Sequence, residues 1–186
     1  MTGPGGAEQV RGRAGVTGDA ILNAMGTHGD SIWRDGEQRA WLAWNKVQLR
    51  LSYEVNRRLQ ADSDLSTADY DVLSELVGSP GARLPISVLA NKIGWERSRV
   101  SHHVKRMAGR SLVTSAPGST DRRVTEVALT SRGRRVLEEA GPAHVAEVRR
   151  LFFGGLPPEL VPPLTRALEN IYAHVVEHGT LPPPDC

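Results

Sequence analysis

Between Arg97 and Arg106 the chain places Arg97, Ser98, Arg99, Ser101, His102, Lys105 and Arg106, and beyond a turn it adds Asp121-Arg122-Arg123. These groups donate and accept hydrogen bonds or carry permanent positive charge. They suit the holding of a polyanion better than the making or breaking of bonds. At helical spacing, Ser98, His102 and Lys105 form one stripe and Arg99, His103, Arg106 and Arg110 a second. Val100, Val104 and Met107 form a third, the only apolar one. One narrow face is therefore expected to be buried and the broad remainder to stay exposed and cationic. A helix of ~10–12 Å diameter fits the ~12 Å major groove of DNA, with its N-terminal half nearest the base edges. In that placement Ser98, Arg99, Ser101 and His102 reach base edges. Arg99 pairs with guanine, and His102 donates to or accepts from a base or phosphate. Lys105 and Arg106 meet phosphates, adding affinity and salt dependence. Two arginines at a hairpin tip repel each other unless something anionic meets them. Arg122 and Arg123 are therefore expected to enter or flank the minor groove, with Asp121 holding the arginine through an ion pair.

The elements that must position these groups are also legible. Ile86, Leu89, Ala90 and Ile93 recur at helical spacing behind Pro85, which costs nothing in a first turn. Gly94 breaks the pattern and supplies a sharp turn, and the second helix is expected from about Glu96 to Gly109. Leu112 to Ser115 reads as a short strand, Pro117-Gly118-Ser119 as a turn, and Thr125, Val127 and Leu129 as the alternating return strand. Helix, turn, basic helix and hairpin in that order describe a winged helix-turn-helix. Charge is concentrated in the same place. From Trp95 to Arg135 ten cationic side chains face three acids, a net +7 in a chain whose total is +2.

At these residues the chain resembles the MarR family of transcription regulators. The likeness rests on L-A-x-x-I-G (Leu89 to Gly94), the helix through His102, R-x-L-V (Arg110 to Val113) and D-R-R-x-x-x-V-x-L-T-x-x-G (Asp121 to Gly133), and extends loosely over residues 37–178. Two positions depart from the family pattern. Ser111 stands where Gly usually ends the recognition helix, and so is expected to hold a left-handed backbone conformation. Trp95-Glu96 replaces a short apolar residue and a Ser or Asp cap. The resemblance implies a mainly α protein with a small β-hairpin wing, dimerising through its first and last helices. It also implies an effector cavity between the dimer helices and the DNA-binding lobe, where Trp41, Trp44, Tyr70 and His144 are the candidate lining and a small aromatic or anionic molecule the candidate ligand.

The rest of the chain frames this segment. Its 186 residues suit one domain with tails: residues 1–30 as a flexible Gly-rich tail in which Arg11 and Arg13 could touch DNA, 31–178 as the folded domain, and 179–186 as an extended tail. Within the domain, residues 61–133 form the winged lobe, while 35–60 and 134–178 form dimerisation helices. A long helix is expected from about Asp35 to Leu59, with Trp41, Trp44, Gln48, Leu51, Val55 and Leu59 on one side and Val47, Leu49 and Tyr53 widening its apolar surface. Ser66 caps the next helix and Asp69 completes a capping box. Thr130 or Ser131 caps the helix after the wing, Gly141-Pro142 should kink or interrupt it, and Leu160, Leu164, Leu168, Ile171 and Val175 line the last helix.

Catalytic sets are missing. There is no Gly-rich phosphate loop, paired-cysteine motif or nucleophile elbow, so no enzyme and no cofactor are expected. His174 and His178 have metal-compatible spacing but no obvious third ligand, and no metal is expected. The single cysteine, Cys186, excludes an internal disulfide, and no apolar run approaches ~20 residues, so a cytoplasmic protein without membrane contact is expected. The combined expectation is a homodimer, a repressor in type, that binds a palindromic double-stranded DNA site and is released by a small molecule. Two alternatives stay open: an architectural DNA-binding protein with little sequence preference, and a winged-helix protein–protein adaptor.

Overall fold

The computed structural model describes residues 33–118 and 121–184, so the expected N-terminal tail, with Arg11 and Arg13, and Cys186 lie outside the described residues. The elements in order are α1 (Glu37–Ser63), α2 (Thr67–Val77), β1 (Arg83–Pro85), α3 (Ile86–Lys92), α4 (Arg97–Gly109), β2 (Val113–Pro117), β3 (Thr125–Leu129), α5 (Ser131–Leu151) and α6 (Val161–His178), with short 3-10 turns at Pro80–Ala82, Phe153–Gly155 and Pro158–Leu160. Two compact units share the chain, one reaching to Lys46 and the other from Val47 onward, with α1 running across the division.

The second unit carries the core. Leu65, Val72, Leu73 and Leu76 from α2 and its lead-in meet Leu89 of α3, the Val100, Val104 and Met107 stripe of α4, and Val113 and Val127 of the strands, all essentially inaccessible to solvent. Each such side chain contributes about 1.5–3 kcal/mol by leaving water. The apolar stripe of α4 is thus the buried face, as its spacing predicts, while Val55 and Leu59 bring the end of α1 onto the same core.

The wing is a sheet of three strands, not a two-stranded hairpin. The order is β1-β3-β2, all antiparallel, with Leu84 opposite Val127 and Ser115 opposite the same residue on the other edge. Strand β1 escapes sequence reading because three residues ending in Pro85 are too short to show alternation. Strand β2 runs on to Pro117, further than the pattern predicts; Pro117 pairs at the strand's end, where its missing N–H costs little.

Helix α1 extends four residues beyond Leu59, and Asp64 ends it at φ 55°. Ser66 and Asp69 form the expected reciprocal capping box of α2, and Thr130 caps α5 by accepting from the Gly133 N–H at 2.9 Å. Of the kink or interruption expected at Gly141-Pro142, the interruption does not occur, and helix α5 runs on through Pro142. The carbonyl that Pro142 leaves without a donor belongs to exposed Glu138, where water can serve it. Gly133 is required by close approach: a Cβ there would lie 2.0 Å from the Leu112 carbonyl oxygen.

Candidate nucleic-acid interface

Two matching C-caps bracket the basic helix. At the end of α3, Gly94 takes φ 68°, its N–H donates to Asn91 O at 3.2 Å, and the Trp95 N–H donates to Ala90 O at 2.9 Å. At the end of α4, Ser111 takes φ 58°, its N–H donates to Ala108 O at 2.9 Å, and the Leu112 N–H donates to Met107 O at 3.1 Å. Both are Schellman closures built on a left-handed residue. The first turns the chain sharply into α4. The second turns it into β2, with a serine doing what glycine does without strain. Thr130 then clasps this junction, its hydroxyl donating to Ser111 O at 2.7 Å and Leu112 O at 3.0 Å.

The N-terminus of α4 carries no side-chain cap. Glu96 occupies the cap position, but its carboxylate does not cap the helix, and no acid lies in the first turn. Arg97 and Arg99 therefore add positive charge to the positive end of the helix dipole, an arrangement that disfavours the helix alone and favours an anion at its end.

Most of the expected reading face is exposed: Arg97, Ser98, Arg99, Ser101, His102, Lys105 and Arg106 all face solvent, as do Asp121, Arg122 and Arg123 at the wing. The Arg99 guanidinium carbon sits 3.9 Å above the Trp95 ring. Ser101 donates its hydroxyl to Arg97 O at 3.0 Å, which leaves its lone pairs for a donor on a partner. Asp121 does not form the expected ion pair among the described residues. Its Oδ1 accepts from the Arg123 backbone N–H at 2.9 Å, a two-residue turn geometry that a short acid makes readily.

Two members of the arginine stripe turn inward, correcting the reading of a uniformly solvated face. His103 is buried, and Arg106 donates to its Nδ1 at 2.9 Å. Its Nε2 lies 3.1 Å from Asp69 Oδ1, close enough for an ion pair but without the alignment of a hydrogen bond. Arg110 reaches Asp69 Oδ2 at 2.9 Å and the Asp64 carboxylate at 3.3 Å, and also donates to the Asp64 carbonyl. Burial pushes the Asp69 carboxyl upward, but His103, the Ser66 backbone and hydroxyl, and Arg110 outweigh it and hold the group well below the usual carboxylate range. Asp69 was legible only as a cap; its second partner set comes from a helix about forty residues away. His103 three residues before Arg106 was the available signal.

Of the proposed effector residues, Tyr70 and His144 come together, ring centroids 4.2 Å apart. They line an open hollow of about 370 Å³ with Asp71, Ser74, Glu75, Lys92 and Ile93. Burial lowers the His144 pKa, leaving a neutral ring whose buried Nδ1 has no hydrogen-bond partner among the described residues. Burial and then the Asp71 charge raise the Tyr70 phenol, so it stays a neutral donor. Trp41 and Trp44 belong to the other compact unit, each more than two-fifths exposed on α1. His178 bonds through Nδ1 to His174 O at 3.0 Å, and the two rings stack at 4.1 Å. No group of three His, Cys, Asp or Glu side chains among the described residues could hold a metal ion. Nor is any described helix long and apolar enough to cross a membrane.

The fold has structural counterparts of known family. AbsC, a MarR family transcriptional regulator from Streptomyces coelicolor, matches with 34% identity over 78% of this chain and 98% of its own, at a TM-score of 0.73. The chain belongs to the MarR family. The MarR family model itself matches residues 63–124, from the end of α1 into the wing. Sco3205, a MarR family regulator from the same organism solved in complex with DNA, is 29% identical over 84% of this chain and 99% of its own, with a TM-score of 0.74. CouR from Rhodococcus jostii RHA1, solved with p-coumaroyl-CoA bound, is 25% identical over 69% of this chain and 88% of its own, with a TM-score of 0.60. No curated protein matches the sequence. This MarR regulator is therefore a transcription regulator with a winged-helix fold.

Proposed function

We propose that the protein is a homodimeric, sequence-specific repressor that binds a palindromic duplex site and is released by a small aromatic effector. The observation that carries the DNA reading is the exposed face of α4. It offers donors and acceptors at Ser98, Arg99, Ser101 and His102 and charge at Arg97, Lys105 and Arg106, and Arg122 and Arg123 are exposed at the wing. Ser98 and His102 favour base reading over purely electrostatic binding, which needs charge alone. That Sco3205 was solved in complex with DNA supports DNA as the partner.

Two uncovered apolar faces support the homodimer. Helix α6 is eighteen residues long and buries none of them, with Ile171, Tyr172 and Val175 each more than half exposed. On α1, Trp41, Trp44, Val47, Leu49 and Tyr53 are exposed as well. A second copy of the chain covering these faces would bury them, and two-fold symmetry would then demand half-sites about one helical turn, ~10 bp, apart.

The hollow beside Tyr70 and His144 is the effector site in this reading. The neutral imidazole offers a nitrogen without a partner among the described residues and the phenol a donor, while Lys92 offsets Glu75 and leaves Asp71 as the acid that disfavours an anionic ligand. A neutral aromatic molecule bearing a hydroxyl fits this lining best. Binding there would alter the separation of the two recognition helices and release DNA. In this reading the protein acts in the cytoplasm.

Selection from random duplex DNA at ~150 mM salt with excess nonspecific competitor tests the reading. Recovery of a palindrome with half-sites about one turn apart, bound in the usual range of about 10⁻⁸ to 10⁻¹¹ M, is the expected result. Recovery of no motif, with binding abolished by competitor, would replace it with an architectural role.

A further inference from the structure

Arg99 is an exposed cation of α4 with a definite orientation and a free donor edge. Its guanidinium carbon stands 3.9 Å over the Trp95 ring, and no N–H of Arg99 is engaged in a hydrogen bond or ion pair among the described residues. Its donor edge is open while its charge rests on an aromatic face.

The indole is itself held. Its backbone N–H closes the cap of α3 onto Ala90 O, so the residue cannot slide along the chain. Its ring packs against the core and meets the His103 ring edge-on, with centroids 5.5 Å apart and planes at 83°. His103 is fixed in turn between Arg106 and Asp69. A rigid aromatic plane thus lies under a side chain that would otherwise carry about 2 kcal/mol of rotamer entropy.

We infer that Trp95 is a positioning residue that presents Arg99 for bidentate pairing with guanine, and so sets base choice at one position of each half-site. The inference rests on the reading of α4 as the DNA-contacting helix. Bidentate pairing to guanine O6 and N7 requires the guanidinium fork in one orientation, and a preset orientation removes ordering cost from the specific complex alone. Phosphate contacts tolerate a mobile cation, so general affinity does not depend on the stack.

The experiment compares the parent with Trp95→Leu, Trp95→Phe, Arg99→Ala and Lys105→Ala on the selected operator, on duplexes substituted at each position, and on random DNA. Leucine keeps apolar bulk against the core but removes the ring face, and phenylalanine restores a ring. Circular dichroism establishes that each variant is folded. The expected result is that Arg99→Ala flattens the preference at one position per half-site. Trp95→Leu should lower the preference at that same position by about two- to five-fold, the size of an exposed cation–π contact, leaving random-DNA binding unchanged. Trp95→Phe should recover part of the loss, and Lys105→Ala should weaken all duplexes alike. If Arg99→Ala flattens a position and Trp95→Leu leaves it intact, or weakens every duplex equally, the positioning role is overturned while the helix reading stands. If neither Arg99→Ala nor any other α4 variant changes any preference, the helix reading itself falls and the inference with it.

Discussion

The Arg106 guanidinium donates to Nδ1 of His103 across 2.9 Å, and this contact fixes the proton on the histidine. Arginine has no lone pair to offer, so Nδ1 is bare and the ring hydrogen sits on Nε2, facing Asp69 Oδ1. A side chain on the outer surface of α4 is thereby linked through one buried ring to a carboxylate on α2. Arg110 approaches the same carboxylate from its other oxygen.

Replacing Asp69 tests the centre of that linkage. Asp69→Ala leaves buried His103 without the carboxylate beside it and the Arg110 guanidinium without its acceptor, and removes the α2 cap. A loss of about 3 kcal/mol is expected from urea unfolding, at the lower end for a broken buried pair because Arg110 keeps access to water. The folded-state pKa of Asp69 lies below its unfolded value. Its stabilisation is therefore complete above the ordinary carboxylate range and declines as pH falls through that range and below it. Asp69→Asn should flatten the acid limb of the stability–pH curve, and an unchanged limb would remove Asp69 as its source.

His144 has the opposite linkage. Burial depresses its pKa, so the unfolded chain binds the proton more readily than the folded one. The folded state loses stability as pH falls below about 6.5, the unfolded value, and is unaffected above it. His144→Leu should accordingly stabilise the protein more at pH 5 than at pH 8. Thermal unfolding at both values reads this difference directly. It also removes the buried nitrogen that has no partner, so no stability is lost at pH 8.

Ser111 carries backbone strain that glycine would relieve. At φ 58° its Cβ is crowded, whereas its hydroxyl forms no hydrogen bond among the described residues. Ser111→Gly is expected to raise stability by about 0.5–1 kcal/mol, and Ser111→Ala to give no gain. A rise in the urea midpoint without a change in slope would confirm that the effect is local.

The wing arginines should separate affinity from choice. Arg123→Ala is expected to weaken operator binding by ~1–3 kcal/mol, and Lys105→Ala to lower the salt slope by about 1 on every sequence. His102→Ala should instead change the preferred base at one position. Titrations at two salt concentrations on operator and random duplexes distinguish these outcomes, and unchanged binding by Arg123→Ala would remove the wing from the mechanism.

The sequence disclosed what is local and periodic. Gly94 between two apolar patterns placed the turn, Val100, Val104 and Met107 identified the buried face of α4, and Ser66 with Asp69 spelled a capping box. Interactions between elements were less visible. Periodicity assigns a residue to a stripe but does not say which stripe margin rotates inward, so His103 and Arg110 looked like solvated cations. Strand β1 was hidden by its length, and Pro142 looked like a break because the exposure of Glu138 cannot be read from composition. The Trp95–Arg99 stack, four residues apart across a helix start, was present in the sequence as an aromatic–cation spacing.

Strand β3 is hydrogen-bonded along both edges, to β1 before α3 and to β2 after α4. Neither the hairpin nor the helix pair can shift without breaking a ladder shared with the other. Thr130, at the end of the same strand, locks the exit of α4. The recognition unit therefore orders itself during folding, and duplex capture has little chain left to organise. Calorimetry of the association should show a heat-capacity change no larger than the contact surface accounts for, unlike the larger change of a segment that folds as it binds.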